Sequence, residues 1–521
     1  MIILSLPVLV AVVSSMLIYD IFSQERVSDA LRKGLWRLRG RPWMEQHSRR
    51  SMQRSGATAH MASLAGIVCL LVLAGCGGGS ATGSPPPTPT PVPTLVPTSV
   101  TASPSPTASS SDWTTYHHDN LRTGYIASTP DPHNLAAAWS KQLDGAVYAE
   151  PLIVGNHVIV ATEGDSLYAF DPVSGIMQWR TNVGSPVPLS TLPCGDIDPL
   201  GITGTPVYDP ATNLVFAVAE VTGPAHILVG VDVTTGKVKV TRSVDTNGMD
   251  PAAHQQRGAL TLANGNVYIP YGGLDGDCSD YIGRVVASPT NGQGQLLSYH
   301  VPTPREGGIW ATPGASVDSA GNLYVAVGNG AITQGQWDYS DSILKLSPTL
   351  QLLDAFAPTT WASDNANDSD LGSQGPVLLP GNFIFADGKS GKGYTLHANA
   401  LGKIGGQIDV QDVCTSFGGA ASVGTTAFIP CTSGVRQITV DSSGHIHQGW
   451  HASSNIFGSP VVGGHTIYSL SNGTLYALNM NTGQPITSRN VGNTNRFATP
   501  TLSGTTIFVG TLRGITAVKI T

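Results

Sequence analysis

The sequence predicts an all-β protein, an eight-bladed β-propeller of four-stranded antiparallel blades, and two observations support this fold class. The 521 residues include 61 Gly and 36 Pro, and only 12% are charged, which suits a chain that turns often. A short pattern also recurs along the chain, in which a small residue followed by Pro begins an apolar strand. We call this pattern the small-residue step. Ala replaces Pro in two of the eight copies. The copies are centred on Pro151, Pro206, Ala259, Pro313, Pro376, Ala420, Pro460 and Pro500.

The spacing and content of these units are those of propeller blades. Successive copies lie 55, 53, 54, 63, 44, 40 and 40 residues apart. In each unit the step is followed by a second apolar strand, such as HVIVAT, and by a third, such as SLYAFD. A weaker fourth strand often follows a Gly turn, as in GIMQW. Each unit therefore predicts one four-stranded blade.

The two ends of the repeat region predict how the ring closes. The last unit stops at Thr521, immediately after its third strand, and a strand with the sequence LAAAWSKQLDG, residues 135–145, precedes the first unit. An N-terminal strand that completes the last blade leaves no free sheet edge. Two separate β-sandwiches are the alternative, but they require a linker in the middle of the region, where no linker sequence occurs.

Residues 1–75 form an apolar and basic export segment. The run MASLAGIVCLLVL, residues 61–73, follows three arginines and precedes Ala-Gly-Cys, which is the plan of a signal peptide. Translation from Met52 gives a complete signal over residues 52–75. The apolar run at residues 1–20 is either a transmembrane helix or, if translation starts at Met52, a stretch upstream of the true start; the complete signal over residues 52–75 favours the later start. The sequence LAGC, residues 73–76, resembles a bacterial lipoprotein box, which implies a lipid on Cys76; the alternative is an ordinary thiol after a signal anchor.

Residues 76–111 predict a stalk between that anchor and the propeller of residues 112–521. The segment is rich in Pro, Thr and Ser and almost free of charge, so it cannot form a core and favours extended polyproline II. We therefore expect an exported protein, lipid-anchored to the outer face of the cytoplasmic membrane or to the cell surface.

The charge balance argues against nucleic acid as a partner. Residues 1–75 hold nine of the 27 Lys and Arg and four of the 34 Asp and Glu, so the rest of the chain has 18 against 30, a net charge of −12. A non-specific nucleic-acid binder needs a basic surface. We expect a monomer that binds no nucleic acid.

Four cysteines follow Cys76, and an exported compartment permits disulfides among them. Four cysteines allow three connectivities. Cys414 and Cys431 flank one predicted hairpin, so they can meet across adjacent strands, which leaves Cys194 to pair with Cys278. Free buried thiols are the alternative.

The repeat itself resembles that of a known family. LYAFDPVSGIMQW, residues 167–179, is similar to the repeat of pyrroloquinoline-quinone-type propellers, and TLYALNMNTGQ, residues 474–484, repeats it. WTTYHHDNLRTGY, residues 113–125, resembles the opening segment of the same superfamily. This superfamily includes quinoprotein alcohol dehydrogenases, for which the resemblance implies a quinone and Ca²⁺ in a central funnel, and non-catalytic lipoprotein propellers. The fold alone does not decide between them.

The resemblance to the dehydrogenases implies a set of site residues. Residues 306–330 are similar to the segment that forms the floor under the quinone, so Trp310 would be the stacking platform and Asn329 would lie near the metal. Residues 359–376 would supply the base that removes the alcohol proton. The implied set comprises Asp364 or Asp370 as the base, Lys389 as a cation on the quinone, and Glu150, Glu306 and Asn329 as calcium ligands. The structural alternatives are core packing for Trp310, a turn for Asn329 and a solvated loop for the acidic run.

Three features of the sequence weigh against catalysis. The chain lacks the adjacent cysteines of the dehydrogenases that it resembles, it is short, and the spacing of its Glu and Asn residues does not define a calcium site. We therefore predict a binding or scaffold module with no catalytic residues, metal or cofactor. Its funnel face would bind an envelope protein, a peptide or a polysaccharide. The alternative is a dehydrogenase of alcohols or sugars that depends on pyrroloquinoline quinone and Ca²⁺.

Overall fold

The computed structural model describes residues 112–521, and these form eight antiparallel blades arranged in a ring. The predicted eight-bladed β-propeller is therefore confirmed. Each blade has four main strands, numbered here from the channel outwards as inner, second, third and outer. The export segment, the stalk and Cys76 lie outside the described residues, so those predictions remain predictions.

The strand bounds follow the predicted repeat. Blade 1 contains Leu152–Val154, His157–Thr162, Ser166–Phe170 and Met177–Asn182. Blade 2 contains Val207–Asp209, Leu214–Val221, Ala225–Asp232 and Val238–Ser243. Blade 3 contains Thr261–Ala263, Asn266–Gly273, Arg284–Pro289 and Leu297–His300, with the additional short strand His254–Gln255. Blade 4 contains Ser316–Val317, Leu323–Val327, Ser342–Leu346 and Leu352–Ala357, with Lys403–Ile404 parallel to its outer strand.

The second half of the ring has the same plan. Blade 5 contains Val377–Leu379, Phe383–Ala386, Lys392–His397 and Asp409–Asp412. Blade 6 contains Ala421–Val423, Thr426–Ile429, Arg436–Val440 and Ile446–His451. Blade 7 contains Val461–Gly463, Thr466–Ser471, Thr474–Asn479 and Pro485–Asn490, with Tyr125–Ile126 parallel to its inner strand. Blade 8 contains Thr501–Ser503, Thr506–Thr511, Gly514–Ile520 and the N-terminal strand Leu135–Gln142.

Blade 8 closes the ring in the predicted way. Leu135–Gln142 pairs antiparallel with Gly514–Ile520, from Leu135 opposite Ile520 to Gln142 opposite Gly514. The first and last parts of the ring therefore share one sheet, and the third strand of blade 8 has no open edge.

Burial along each blade explains why its strands differ in sequence. In blade 1 the second and third strands are buried on both faces, because each face packs against a neighbouring blade. The outer strand Met177–Asn182 alternates between exposed and half-buried residues. Both faces of a middle strand must therefore be apolar, whereas the outer strand has a weak pattern that is hard to recognise from sequence.

A Trp that covers a Gly turn joins several neighbouring blades. The pairs are Trp139 with Gly175, Trp179 with Gly236, and Trp450 with Gly483. In the second pair, the indole Nε1 of Trp179 donates to the Val233 carbonyl at 2.7 Å. Gly236 has φ +68°, and a Cβ on it would lie 2.8 Å from the indole. The Asp-x-x-x-Gly turn and the Trp of the repeat are thus two halves of one contact between blades.

Residues 113–126, here called the crossing segment, run across the channel. Trp113 pairs with Ile153 of blade 1, and the Asn120 carbonyl accepts from Val317 of blade 4. On the far side, Ile126 pairs with Gly463 of blade 7. Trp113, Tyr116, His117 and Arg122 are almost wholly buried. The crossing segment therefore closes one end of the channel.

Helices are few in the described part of the chain. They comprise the α-helix Trp361–Asn367 and the 3₁₀ turns Leu189–Thr191 and Leu371–Ser373. Within residues 112–521, no helix has the length and apolar character needed to cross a membrane.

Both predicted disulfides are present. Cys194 bonds to Cys278, with the Cα atoms 6.1 Å apart, and Cys414 bonds to Cys431. The first bond joins the connection between blades 1 and 2 to a loop of blade 3. The second lies beside the connection between blades 5 and 6.

Candidate functional site

A cavity of about 420 Å³ lies on the ring axis. Many of its lining residues lie just ahead of inner strands, on the connections between blades. The crossing segment instead pairs with the inner strands themselves. Just before it, the Asp112 carboxylate accepts from the Gly155 amide, in the turn that follows the inner strand of blade 1. The cavity therefore occupies the end of the channel opposite to the crossing segment. We call this end the funnel.

The lining combines rings, cations and carboxylates. The aromatic residues are Tyr148, Tyr281, Trp310, Phe417 and Phe497. The cations are Arg257, Lys389 and Arg496, and the carboxylates are Asp196, Asp275, Asp277 and Asp370. Such a mixture of ring faces and convergent polar groups is typical of a ligand site.

Four residues that the sequence singled out converge in this cavity. The indole Nε1 of Trp310 donates to Asp370 Oδ2 at 3.2 Å, and the Lys389 ammonium lies 2.8 Å from Asp370 Oδ1. Lys389 also lies 2.6 Å from Asp368 Oδ1, which accepts from the Asn329 amide at 2.6 Å. Trp310, Asn329, Asp370 and Lys389 thus belong to one hydrogen-bonded network.

The opposite charges in this network stabilise each other's ionised forms. Burial raises the pKa of Asp370, and the ion pair with Lys389 opposes that rise. Burial would lower the pKa of Lys389, but Asp370 and Asp368 hold it above its usual value. Lys389 is therefore a cation over the working pH range. One oxygen of the fully buried Asp370 accepts from Trp310, and the other forms the ion pair with Lys389.

Two arginines lie over aromatic rings at the funnel. The Arg257 guanidinium lies 4.2 Å from the centre of the Phe497 ring and 5.5 Å from that of Trp310. The Arg496 guanidinium lies 3.8 Å from the centre of the Phe417 ring. The ring quadrupole attracts each cation and fixes the plane of its guanidinium.

The other predicted site residues lie elsewhere. Asp364 is half-buried on the short helix, where its carboxylate accepts from the Thr360 hydroxyl at 2.6 Å. Glu306 pairs with Arg305 at 3.0 Å. Glu150 is buried beneath the crossing segment, where it accepts from the His117 amide at 2.8 Å. Neither Asp364 nor the two glutamates line the cavity.

The oxygens proposed for calcium are therefore dispersed. Asn329 lies at the cavity, whereas Glu306 faces an arginine and Glu150 faces the crossing segment. Within residues 112–521, no group of three or more His, Cys, Asp and Glu side chains has the geometry to hold a metal ion.

Arg257, Arg496 and most of the aromatic lining belong to no motif that marks a site, although the repeat contains a signal for the aromatic residues. Aromatic residues occur three positions before the small-residue step of several blades. They are Tyr148, Trp310, Phe417, Phe457 and Phe497. All of them except Phe457 line the cavity. Aligning the eight units on their steps would have indicated this ring of side chains.

Both disulfides hold loops that line the cavity. Asp196 and Asp277 lie two residues and one residue from the cysteines of the bond between Cys194 and Cys278. Phe417 follows Cys414 by three residues. The bonds restrict the movement of these lining segments.

Comparison with known proteins identifies the architecture. The family model for the outer membrane protein assembly factor BamB matches residues 131–272. No curated protein sequence matches the chain.

Solved structures of the same fold include two dehydrogenases and BamB. The quinohemoprotein alcohol dehydrogenase ADHIIG from Pseudomonas putida HK5 has a TM-score of 0.61 at 13% identity, over 79% of this chain and 80% of that one. A europium-containing methanol dehydrogenase has a TM-score of 0.61 at 15% identity, over 78% and 90%. BamB from Moraxella catarrhalis has a TM-score of 0.52 at 12% identity, over 74% and 100%. At these identities the similarity shows the fold alone.

Proposed function

The chain is a PQQ-like β-propeller protein, and on that premise we propose that it is a ligand-binding module of the cell envelope. Its ligand, free or part of an envelope partner, enters the funnel cavity. The module is exported and anchored through a lipid on Cys76 and the stalk of residues 76–111.

The observation that supports this proposal most directly is that Asp370 is buried and already has partners. A general base must reach the proton that it removes. Asp370 is fully buried, Trp310 donates to its Oδ2, and its Oδ1 forms an ion pair with the Lys389 ammonium at 2.8 Å. The carboxylate therefore orients Trp310 and Lys389 towards the cavity, which is a binding role.

Two further features support the proposal. The two disulfides are of the kind that persists in exported proteins. The described chain starts at Asp112, at the end of the channel opposite to the funnel. A tethered receptor needs this arrangement, because its ligand then approaches from the free end.

The proposal is tested by the melting temperature of the purified full chain in the presence of fractionated envelope extract. A ligand that binds the folded state raises the melting temperature by mass action. We expect one fraction to stabilise the unmodified chain and the control variant Lys141→Gln, whose side chain is exposed on the outer strand of blade 8. The same fraction should not stabilise Phe497→Ala. If every fraction leaves the unmodified chain unchanged, or stabilises Phe497→Ala equally, the funnel is not the binding site.

A quinone-dependent dehydrogenase is the second candidate, and one observation favours it. Trp310, Asn329, Asp370 and Lys389 meet at one cavity, and ring faces with cations suit a planar polyanion such as pyrroloquinoline quinone. The quinone would supply the acceptor for two electrons. The proposed calcium ligands do not converge, so the residues present do not fit the Ca²⁺ ion that a quinone-dependent dehydrogenase would hold.

The second candidate has a direct assay. Pyrroloquinoline quinone and Ca²⁺ are added to the full chain, and the oxidation of primary alcohols or sugars is followed with an electron-accepting dye. A dehydrogenase should reduce the dye, whereas a binding module should not. That activity should be lost in the double variant Asp364→Asn, Asp370→Asn. We expect no turnover; turnover that depends on these two residues would overturn the binding proposal in favour of catalysis.

A further inference from the structure

The two funnel arginines offer charge that residues 112–521 do not use. No carboxylate, carbonyl or hydroxyl of residues 112–521 accepts a hydrogen bond from the guanidinium of Arg257 or Arg496. Burial lowers the pKa of Arg257, and the charges of Asp196 and Asp275 oppose that fall. Each guanidinium therefore has its flat face on an aromatic ring and its N–H groups available.

A guanidinium held in this way is suited to a carboxylate. Its N–H groups form a planar fork that matches two carboxylate oxygens, and the ring beneath fixes the plane of the fork. The two arginines share Phe497, at 4.2 Å and 6.0 Å from its centre. Arg257 comes from the connection between blades 2 and 3 and Arg496 from that between blades 7 and 8, and together they form a cationic part of the lining.

The remaining polar groups of the lining, here called the acidic wall, have different chemistry. Asp196 and Asp277 lie on the loops joined by the disulfide between Cys194 and Cys278, and they provide carboxylate acceptors. Gln255 and Asn495 add amide groups, and Tyr148 adds a hydroxyl. These groups suit a ligand with several hydroxyls, because each hydroxyl both donates and accepts.

The apolar surface and the size of the cavity narrow the ligand further. Trp310, Phe417 and Phe497 present ring faces, whereas only Ile197, Leu274 and Leu512 contribute branched aliphatic side chains. Flat ring faces suit a ring-shaped ligand better than the varied side chains of a peptide. The crossing segment closes the other end of the channel, so the cavity of about 420 Å³ takes a small ligand or a chain end.

We propose that the funnel binds a saccharide ring that carries a carboxylate, of the uronic acid type. The carboxylate binds the guanidinium groups of Arg257 and Arg496, the ring packs on the aromatic side chains, and the hydroxyls contact the acidic wall. This inference rests on the proposed binding function and names its ligand class.

The test is isothermal titration calorimetry on the purified full chain with four probes. They are the trisaccharide of galacturonic acid, the neutral trisaccharide of galactose, an acidic hexapeptide, and pyrroloquinoline quinone. We expect the acidic trisaccharide to bind most tightly, about tenfold or more above the neutral one, because a hydrogen bond to a charged group contributes about 1.5–3 kcal/mol. Its affinity should fall as salt is added.

Variants locate the binding. Arg496→Gln and Arg257→Gln should each weaken the acidic trisaccharide about tenfold or more, whereas Lys141→Gln should leave it unchanged. Arg496→Lys should not restore full affinity, because an ammonium lacks the planar fork. Arg496 is exposed, so its variants are expected to fold, and the melting temperature of each variant checks this.

The outcomes of these experiments distinguish a wrong ligand class from a wrong binding function. Equal affinity for the neutral trisaccharide, or no effect of either arginine variant, overturns the uronate proposal. If the peptide or the quinone binds best, and Phe497→Ala weakens it, the binding function stands and the saccharide is wrong. If no probe binds and no envelope fraction stabilises the chain, both are wrong.

Discussion

At the scale of single residues, polar groups buried at the funnel end influence the stability of the fold. Asp370 is fully buried and paired with Lys389, whereas Asp165 is fully buried with no partner for either carboxylate oxygen among the described residues. An unpaired buried carboxylate lowers the free energy of unfolding, and a paired one does so when its partner is removed.

The pair of Asp370 and Lys389 gives the first prediction. Asp370→Asn should lower the free energy of unfolding by about 2 kcal/mol, below the usual 3–5 kcal/mol for a broken buried pair, because Lys389 keeps Asp368 as a partner. Asp368→Asn, at the exposed end of the same network, should cost about 0.5 kcal/mol. Thermal unfolding measures both. Equal losses in the two variants would contradict the difference in burial.

A second prediction concerns pH. Burial, with the nearby Glu220 and Asp144, raises the pKa of Asp165 to about 8, and burial also raises that of Glu163 to about 8. Burial would lower the pKa of His226, but Glu220 and Asp245 raise it to about 9. A group whose pKa is raised by folding stabilises the protein below its unfolded pKa, and this contribution is lost as the pH rises through its folded pKa.

The melting temperature should therefore fall between pH 5 and pH 9. Asp165→Asn should raise stability at pH 8 by about 1–3 kcal/mol more than at pH 5, because the cost of protonating or burying this carboxylate on folding grows as the pH rises to its folded pKa. Melting curves at the two pH values measure this effect. The same change at both pH values would show that the charge of Asp165 is not the cause.

At the scale of the element, the contact between a Trp and a Gly turn is what the repeat encodes. Gly236 requires a positive φ and also lies against the indole of Trp179. Gly248 has a similar φ of +74°, but a Cβ there would meet nothing within 4 Å. The two glycines therefore separate backbone strain from crowding between blades.

Gly236→Ala should cost about 2–4 kcal/mol, because strain and overpacking add. Gly248→Ala should cost about 1 kcal/mol, because it introduces strain alone. Urea unfolding of the two variants measures the difference. A loss in Gly248→Ala as large as that in Gly236→Ala would show that the contact with Trp179 is not what makes Gly236 necessary.

At the scale of the whole molecule, the crossing segment joins blades that are distant along the chain. Arg122 is buried and donates to the Thr261 hydroxyl at 2.6 Å and to the Leu260 carbonyl at 3.3 Å, both in or beside the inner strand of blade 3. Within the crossing segment it donates to the Thr115 hydroxyl at 2.6 Å. One side chain thus holds the segment against the ring.

Arg122→Met should release the crossing segment. It leaves several buried acceptors without a donor, so we expect a loss of about 3–5 kcal/mol and a lower melting temperature. Limited proteolysis should then cut within residues 113–126, which are protected in the unmodified chain, and Lys141→Gln should remain protected. An uncut segment in Arg122→Met would show that the backbone pairings hold it without the arginine.

The sequence by itself determined the number of blades, the closing strand and the two disulfides. These features follow from local chemistry: small-residue steps open strands, apolar runs fill the buried middle strands, and a blade with three strands of its own needs a fourth to cover its edge. The sequence also indicated Trp310, Asn329, Asp370 and Lys389, because each lies in a segment that resembles part of a known site.

The tertiary structure alone decided which of these residues meet and what they do together. Arg257, Phe417 and Arg496 are far apart in the chain and share no motif, yet they line one cavity because connections from different blades converge on the axis. Glu150 and Glu306 were equally plausible as ligands by residue type, but their blades direct them to His117 and Arg305. Residue type and spacing specify a blade, because its contacts are local. A site on the axis of a ring depends on side-chain directions from many blades, which only the closed structure fixes.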